Sequence, residues 1–438
     1  MPAAFCDDCS AVRSALVLSV DVVVVGGGPA GTSAAIEAAR AGLEVLLVDK
    51  ARFPRDKCCG DGLTAGALRQ LQGLGLEPTS LPSWQQVDDV VLHGPAGRAL
   101  RLPLPRGRGA FAAVVPRIEL DAALVDLARA AGVKVADGHP CTGAEVGHDR
   151  ITLDVGALGR VAARYAIGAD GMWSPLRKYL GAIDPARPDP QGRPGRLGEW
   201  HAFRQYFSGV VPAASSALHV WFEGDLLPGY VWSFPLPGGR ANVGFGIERG
   251  RLPTRAMKAL WPELLARPQI REILGPDATP EGAHRAWPIP SRLHDITLTG
   301  GGGRALFVGD AAAACDPLTG EGIAQAMLTG ALAARAVVGA GPFDPAGAAV
   351  RYEEAVGREL LADMAVSRTM AVALRHRKGV RVGLRIAGAT AWSKRHFARW
   401  LFEDYPRAIV GTPGRWGEHS LVGDGAYPQP GLCRVDRA

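Results

Sequence analysis

Val20-Asp21-Val22-Val23-Val24-Val25 runs straight into Gly26-Gly27-Gly28-Pro29-Ala30-Gly31, a β-branched stretch that ends in a glycine turn. An unbroken run of this kind suits a parallel strand buried on both faces, where the alternation of polar and apolar residues is lost. Beyond the turn, Ala30 to Ala41 is alanine-rich, as a helix packed closely on a sheet requires, and Leu43 to Val48 supplies the next strand. Residues 20–50 therefore predict one βαβ unit.

The turn holds G-x-G-x-x-G in Gly26, Gly28 and Gly31. In such a unit the first glycine permits the tight turn, the second lets the backbone approach a pyrophosphate, and the third allows the helix to pack against the strand. Pro29 and Ala30 open the helix, whose unpaired N–H groups and dipole face the phosphates. Asp49 ends the second strand where a carboxylate accepts ribose hydroxyls, and it is assigned to the cofactor together with Lys50. The motif alone does not separate NAD from FAD. Leu306-Phe307-Val308-Gly309-Asp310-Ala311-Ala312, followed by Pro317 and Gly320-Glu321-Gly322-Ile323, points to FAD. There a strand delivers Asp310 to the sheet end, in reach of a ribityl chain, and a glycine turn opens a helix whose N–H groups at Gly322 and Ile323 approach a flavin ring. Asp170-Gly171 adds a third acid, Asp170, to the candidate cofactor residues.

The chain has 438 residues, 47% of them hydrophobic and 21% charged, which suits two or three globular domains. The expected fold is α/β, a Rossmann-type FAD-binding domain with an inserted antiparallel-sheet substrate domain and a helical carboxy-terminal region. The FAD-binding domain spans 20–180, is discontinuous, and carries sheet insertions near 87–104. A stretch rich in Pro, Gly and Arg from Gly181 to Gly198 marks a boundary, and the substrate domain follows over 181–300. A second FAD-binding segment covers 301–345, and 346–438 forms the helical region. Seven cysteines at irregular spacing indicate reduced thiols, and Cys6 and Cys9 form a lone C-x-x-C with no partner pair, so no metal is expected. Asp7 and Asp8 stand where a signal peptide needs positive charge, and no apolar run reaches the roughly 18–20 residues of a spanning helix. The expected location is cytoplasmic, with any membrane contact peripheral at the inner face. The net charge of +6 suits an anionic cofactor or membrane surface, and nucleic acid is not expected as a partner.

The chain resembles the geranylgeranyl reductase family, flavoproteins with a p-hydroxybenzoate-hydroxylase-like fold. The resemblance rests on Gly26 to Gly31, Asp56-Lys57-Cys58-Cys59-Gly60-Asp61-Gly62, Asp170-Gly171, Pro228-Gly229-Tyr230-Val231-Trp232-Ser233-Phe234-Pro235 with Asn242-Val243-Gly244, and Val308 to Met327, in family order. It implies that reduced flavin delivers hydride to an isolated double bond of a prenyl chain, carried by a geranylgeranyl lipid or an isoprenoid quinone. It also implies that the cysteine of K-x-C-G sits by the isoalloxazine. In this chain that cysteine is Cys59, with Lys57 before it and Gly60 after it at the cofactor. An unactivated alkene offers no carbonyl to polarise, so hydride addition needs a proton at the other carbon, and a thiol is mostly protonated at neutral pH. The family's aromatic strand places Tyr230, Trp232 and Phe234 on one face, as the wall of an apolar tunnel. Arg117 matches, by context, the arginine that the family has before the helix following the sheet hairpin. The electron donor is external, NADPH or a ferredoxin-like carrier. The chain departs from the family at Ala313, where glycine is common.

From Arg375 to Arg399 the chain carries Arg375, Arg377, Lys378, Arg381, Arg385, Lys394, Arg395 and Arg399 without a carboxylate, interleaved with Val380, Val382, Leu384, Ile386, Trp392 and Phe397. Such a segment suits the plane of an anionic membrane, although Gly379, Gly383 and Gly388 predict a broken helix. The alternative function is a flavin-dependent monooxygenase or halogenase on the same scaffold. Related halogenases carry W-x-W-x-I-P where this chain has Tyr230 to Pro235, which weighs against halogenation.

Overall fold

The computed structural model describes residues 17–95, 97–182, 198–251, 254–409, 411–412 and 423–428. Cys6, Cys9 and most of the Gly181 to Gly198 stretch lie outside the described residues. The predicted βαβ unit is formed by strand Leu18–Val25, helix Pro29–Arg40 and strand Val45–Asp49. Five strands pair in parallel in the order Ala305–Phe307, Gly159–Gly168, Leu18–Val25, Val45–Asp49, Lys134–Asp137. The valines of the first strand are buried on both faces, which explains why no alternation was legible there. Helix Ile323–Ala340 packs along Pro29–Arg40, tied by Ser33 Oγ to the Met327 carbonyl at 2.9 Å. It is long and apolar enough to cross a membrane, but most of it is buried inside the fold.

The second sheet runs in the order Thr279–Pro280, Trp200–Ser208, Arg240–Glu248, Tyr230–Leu236, Leu218–Trp221, Asp89–His93, Ala99–Pro103, and Arg285–Ile289 also pairs with Trp200–Ser208. It is antiparallel except that Leu218–Trp221 runs parallel to Asp89–His93. The hairpin predicted near 87–104 therefore extends the second sheet, where Val90, Leu92, Leu100 and Leu102 bury against Leu218 and Leu227. Helices Arg377–Ala387 and Ala391–Leu401 cover this apolar face through Val380, Leu384 and Ala398. The glycines do not break the first of these helices. Gly383 lies inside it, and the interruption comes only at Gly388, before Thr390 caps the next helix.

Candidate functional site

In an open parallel sheet, ligands bind outside the carboxyl ends of the strands. Gly26, Asp49, Asp170 and Asp310 all stand at such ends, and all four line one cavity of about 960 Å³. Two glycines close its turn. A Cβ on Gly31 would lie 1.8 Å from the Gly26 carbonyl oxygen, and Gly26 itself has φ +110°. Gly28 differs, because a Cβ there would meet only Arg55 Nη2 at 3.6 Å and Arg117 Nη2 at 3.8 Å. The space beside Gly28 is thus bounded by two guanidinium groups. Both are oriented by the fully buried Asp121, which takes Arg117 Nε at 2.6 Å and Nη2 at 2.8 Å, and Arg55 Nη1 at 2.9 Å. Two guanidiniums over a glycine turn at a helix N-terminus suit the charges of a pyrophosphate.

Asp49 is pinned by the backbone: Oδ2 accepts the Gly27 amide at 2.7 Å and Oδ1 the Ala51 amide at 2.8 Å. Each carboxylate oxygen retains capacity for a ribose hydroxyl. Lys50 is exposed at the cavity rim. Asp170 Oδ2 accepts the Leu176 amide at 2.9 Å, while its buried Oδ1 has no hydrogen-bond partner among the described residues, an acceptor that a hydroxyl donor would satisfy. Asp310 faces Lys57 at 3.9 Å, and Lys57 Nζ also lies 3.7 Å from the centre of the Trp287 ring. Burial pulls the Lys57 ammonium below its usual range, partly offset by Asp310. Ala313 adopts φ +50°, so it holds the left-handed conformation that glycine would take without cost, at about 1–2 kcal/mol. The expectation for Ile323 is corrected. Its amide does not stand free but donates to Glu321 Oε1 at 2.7 Å, because Glu321 caps its own helix.

The loop carrying Cys59 lies on the aromatic strand. A Cβ on Gly60 would come 3.3 Å from the Phe234 ring and 3.6 Å from that of Trp232, so the loop lies directly against these two rings. Tyr230, Trp232 and Phe234 do share one face and line the cavity, with successive ring centroids 6.1 and 6.2 Å apart. Burial pushes the Cys59 thiol up, and the neighbouring Asp61 charge adds to this against the pull of Arg117. Cys59 is therefore a protonated thiol at neutral pH. The neighbouring Cys58 is engaged separately, its Sγ donating to the Arg285 carbonyl at 3.5 Å.

Asp61, which carried no assigned role in the sequence, is the hub of this loop. It is fully buried with φ +65° and accepts Tyr206 OH at 2.6 Å, Asn242 Nδ2 at 2.7 Å and the Arg117 amide at 3.3 Å. Tyr206 and Asn242 are cross-strand partners, and Asn242 also donates to the Cys59 carbonyl at 2.9 Å and accepts Trp232 Nε1 at 3.0 Å. Burial pushes the Asp61 carboxyl up to about 6 despite these donors. Arg55 was likewise missed, and its only sequence signal was a basic residue close after the second strand.

Beyond the aromatic strand the cavity continues to Leu374, Val380, Leu384, Phe397 and Leu401 of the carboxy-terminal helices. It therefore has a charged end at the glycine turn and an apolar end roofed by helices. Among the described residues no cluster of metal-binding side chains is present.

The sequence profile of the FAD binding domain family matches residues 19–190. Menaquinone reductase of Mycolicibacterium smegmatis is 34% identical over 351 residues, 74% of this chain and 78% of the relative. Digeranylgeranylglycerophospholipid reductase 2 of Methanopyrus kandleri is 30% identical over 360 residues, 78% of this chain and 84% of the relative. Among solved structures, a geranylgeranyl bacteriochlorophyll reductase-like protein from Thermoplasma acidophilum matches with a TM-score of 0.75 at 21% identity, covering 91% of this chain and 100% of the other. At that identity the likeness concerns the fold.

Proposed function

The chain belongs to the geranylgeranyl reductase family of FAD-dependent oxidoreductases, and from that premise we propose that it saturates carbon–carbon double bonds of a prenyl chain on a lipid or an isoprenoid quinone. The observation that carries this reading is the contact of the Cys59-Gly60 loop with Trp232 and Phe234 inside a cavity that is charged at one end and apolar at the other. Gly26, Gly28, Pro29, Ala30 and Gly31 with Arg55 and Arg117 would hold the FAD pyrophosphate, Asp49 and Lys50 its ribose end, and Asp170 and Asp310 further hydroxyls. Reduced FAD supplies the hydride. Trp232 and Phe234 hold the prenyl chain against the thiol and exclude water, and Cys59 gives its proton to the second alkene carbon. Residues 20–180 and 301–345 serve the cofactor, and 181–300, with the hairpin of Asp89–His93 and Ala99–Pro103, serve the substrate. The monooxygenase or halogenase alternative lacks comparable support, since both curated relatives are named as reductases.

Mass spectrometry of isoprenoid lipids from cells with and without the gene tests the reading. A lipid class should gain the mass of two hydrogens per saturated bond only when the gene is present. Identical isoprenoid profiles, together with no oxidation of the reduced enzyme by any prenyl quinone or lipid, would sink it.

Peripheral membrane attachment belongs to the same proposal. Helix Arg377–Ala387 turns Val380 and Leu384 into the cavity wall and exposes Val382 and Ile386 beside Arg381 and Arg385, while Trp392 is exposed on the next helix. Not all of the basic segment serves this face: Arg399 is buried against Asp404, and Arg375 pairs with Glu248 at 2.5 Å. The protein is expected to bind anionic vesicles at low salt and to be released near 1 M salt, where charges are screened within about 3 Å. Trp392→Ala should weaken binding at every salt concentration. Equal partitioning to neutral and anionic vesicles would remove the electrostatic part of the idea.

A further inference from the structure

Three glycines fall in or beside helix Arg377–Ala387, and two of them are pressed by the chain around them. A Cβ on Gly379 would lie 2.0 Å from the Ala373 carbonyl oxygen, and one on Gly388 would lie 2.9 Å from Leu100 Cδ1. Gly383 is different. It stands in the helix interior, where glycine is less stable than alanine, and a Cβ there would meet nothing within 4 Å. Neither packing nor backbone geometry accounts for a glycine at this position. It is half-buried, and it lines the apolar end of the cavity with Val380 and Leu384. At about 100° per residue the helix presents two apolar stripes. Val380, Leu384 and Ala387 face inward and are buried, whereas Val382 and Ile386 are 55% and 66% exposed. Around one side of the helix the exposed Arg377, Lys378, Arg381 and Arg385 separate these stripes, and around the other side only Gly379 and Gly383 do. Past Gly383 the apolar surface therefore runs from the outside of the helix into the cavity with no charge in its way. The helix meets the hairpin at Leu384, whose Cδ1 would lie 2.8 Å from a Cβ on Gly94, on the far side of the inward stripe from Gly383.

We propose that the glycine side of helix Arg377–Ala387 is a lateral portal, with Gly383 as its sill, through which a prenyl chain passes from a lipid bilayer into the cavity. The inference rests on the reading of the substrate as a prenyl lipid or quinone. Charge complementarity selects the bilayer as the source: no carboxylate interrupts the chain from Arg375 to Arg399, so Lys378, Arg381 and Arg385 meet anionic headgroups while Val382 and Ile386 enter the apolar layer beneath. Gly383, between the exposed and the inward stripe, then lies where a dissolved chain leaves the bilayer without crossing water. A long chain carried through water would instead expose its whole apolar surface. Met370 and Leu374 of the preceding helix and Phe397 and Leu401 of the following one, all half-buried, line the same end of the cavity and receive the chain.

Gly383→Leu puts a side chain in the passage while raising helix propensity, so the variant should fold, keep its FAD and bind anionic vesicles as the wild type does. Gly383→Ala, the check on folding, should melt no lower than the wild type. Binding of geranylgeraniol from anionic vesicles to the oxidised holoenzyme, followed by stopped flow through the flavin absorbance, reads passage without turnover. A narrowed portal slows entry and exit together. Association and dissociation rates should both fall about 10-fold in Gly383→Leu, the rate equivalent of a modest overpacking cost, and further in Gly383→Trp, with little change in the dissociation constant. A residue that only touches the bound chain would alter affinity through dissociation alone. Wild-type rates in both Gly383→Leu and Gly383→Trp, or affinity lost at an unchanged association rate, would overturn the portal. A holoenzyme that takes up geranylgeraniol at a rate set by residue 383, yet when reduced is oxidised by no prenyl substrate, would keep the portal and remove the reductase reading, so the two failures are told apart.

Discussion

Gly28→Val is expected to fold and to purify without FAD. Gly28 has φ −81° and ψ −175°, an extended conformation open to valine, and a Cβ there meets nothing closer than 3.6 Å. At Gly26 and Gly31, by contrast, a side chain would strike backbone and break the turn itself. The isopropyl group would occupy the space between the glycine turn and the guanidiniums of Arg55 and Arg117, displacing a pyrophosphate and its charge-assisted hydrogen bonds. Such bonds contribute about 1.5–3 kcal/mol each, so the loss of two or three lowers affinity by roughly 10²-fold or more. The ratio of flavin to protein absorbance, with circular dichroism as the check on folding, measures this. Full flavin content in a folded Gly28→Val protein would refute the cofactor assignment.

Cys59→Ser should leave FAD binding and flavin reduction intact while alkene saturation falls by roughly 10²–10⁴-fold, the span for a positioned acid or base. Serine retains approximate size but is far less acidic than a thiol, so the substitution removes the proton donor with little change in packing. Cys58→Ser is the control. Its thiol is held on the Arg285 carbonyl, and burial pushes it up to about 12, so the rate should change little. Anaerobic oxidation of the reduced flavin by a geranylgeranyl substrate reads the step without interference from oxygen. Wild-type rates and the same saturated product from Cys59→Ser would end the proton-donor assignment and leave the flavoprotein intact.

The parts of the site legible in the sequence are those whose meaning is local. The glycine turn after Val25, the acids Asp49 and Asp310 at strand ends, and the alternation of Tyr230, Trp232 and Phe234 each follow from a few neighbouring residues and the periodicity of a strand. Asp61 and Arg55 were not legible, because their roles arise from partners far along the chain. Asp61 is defined by Tyr206 and Asn242 across a different sheet, and Arg55 by Asp121 on a helix. Ile323 was misread for a related reason: a free amide is the ordinary state of a helix start, and only the structure shows that the preceding glutamate folds back onto it. The hairpin of Asp89–His93 and Ala99–Pro103 was recognised as strands, but alternation does not say which sheet a strand joins.

That hairpin bears on how the protein acquires its shape. Val90 pairs with Leu218, more than a hundred residues later, while the intervening chain completes much of the parallel sheet. The chain leaves one lobe for the other, returns, and leaves again, so neither lobe is a contiguous stretch that emerges whole from the ribosome. Pairings of such sequence separation close large loops before they return stabilisation, and domains dominated by them fold slowly. During synthesis the edge of Asp89–His93 waits unpaired for Leu218–Trp221, an exposed template for mispairing. Heterologous production should therefore benefit from slow, cool expression with chaperones, and the excised second lobe, lacking its amino-terminal strands, should aggregate where the full chain remains dispersed.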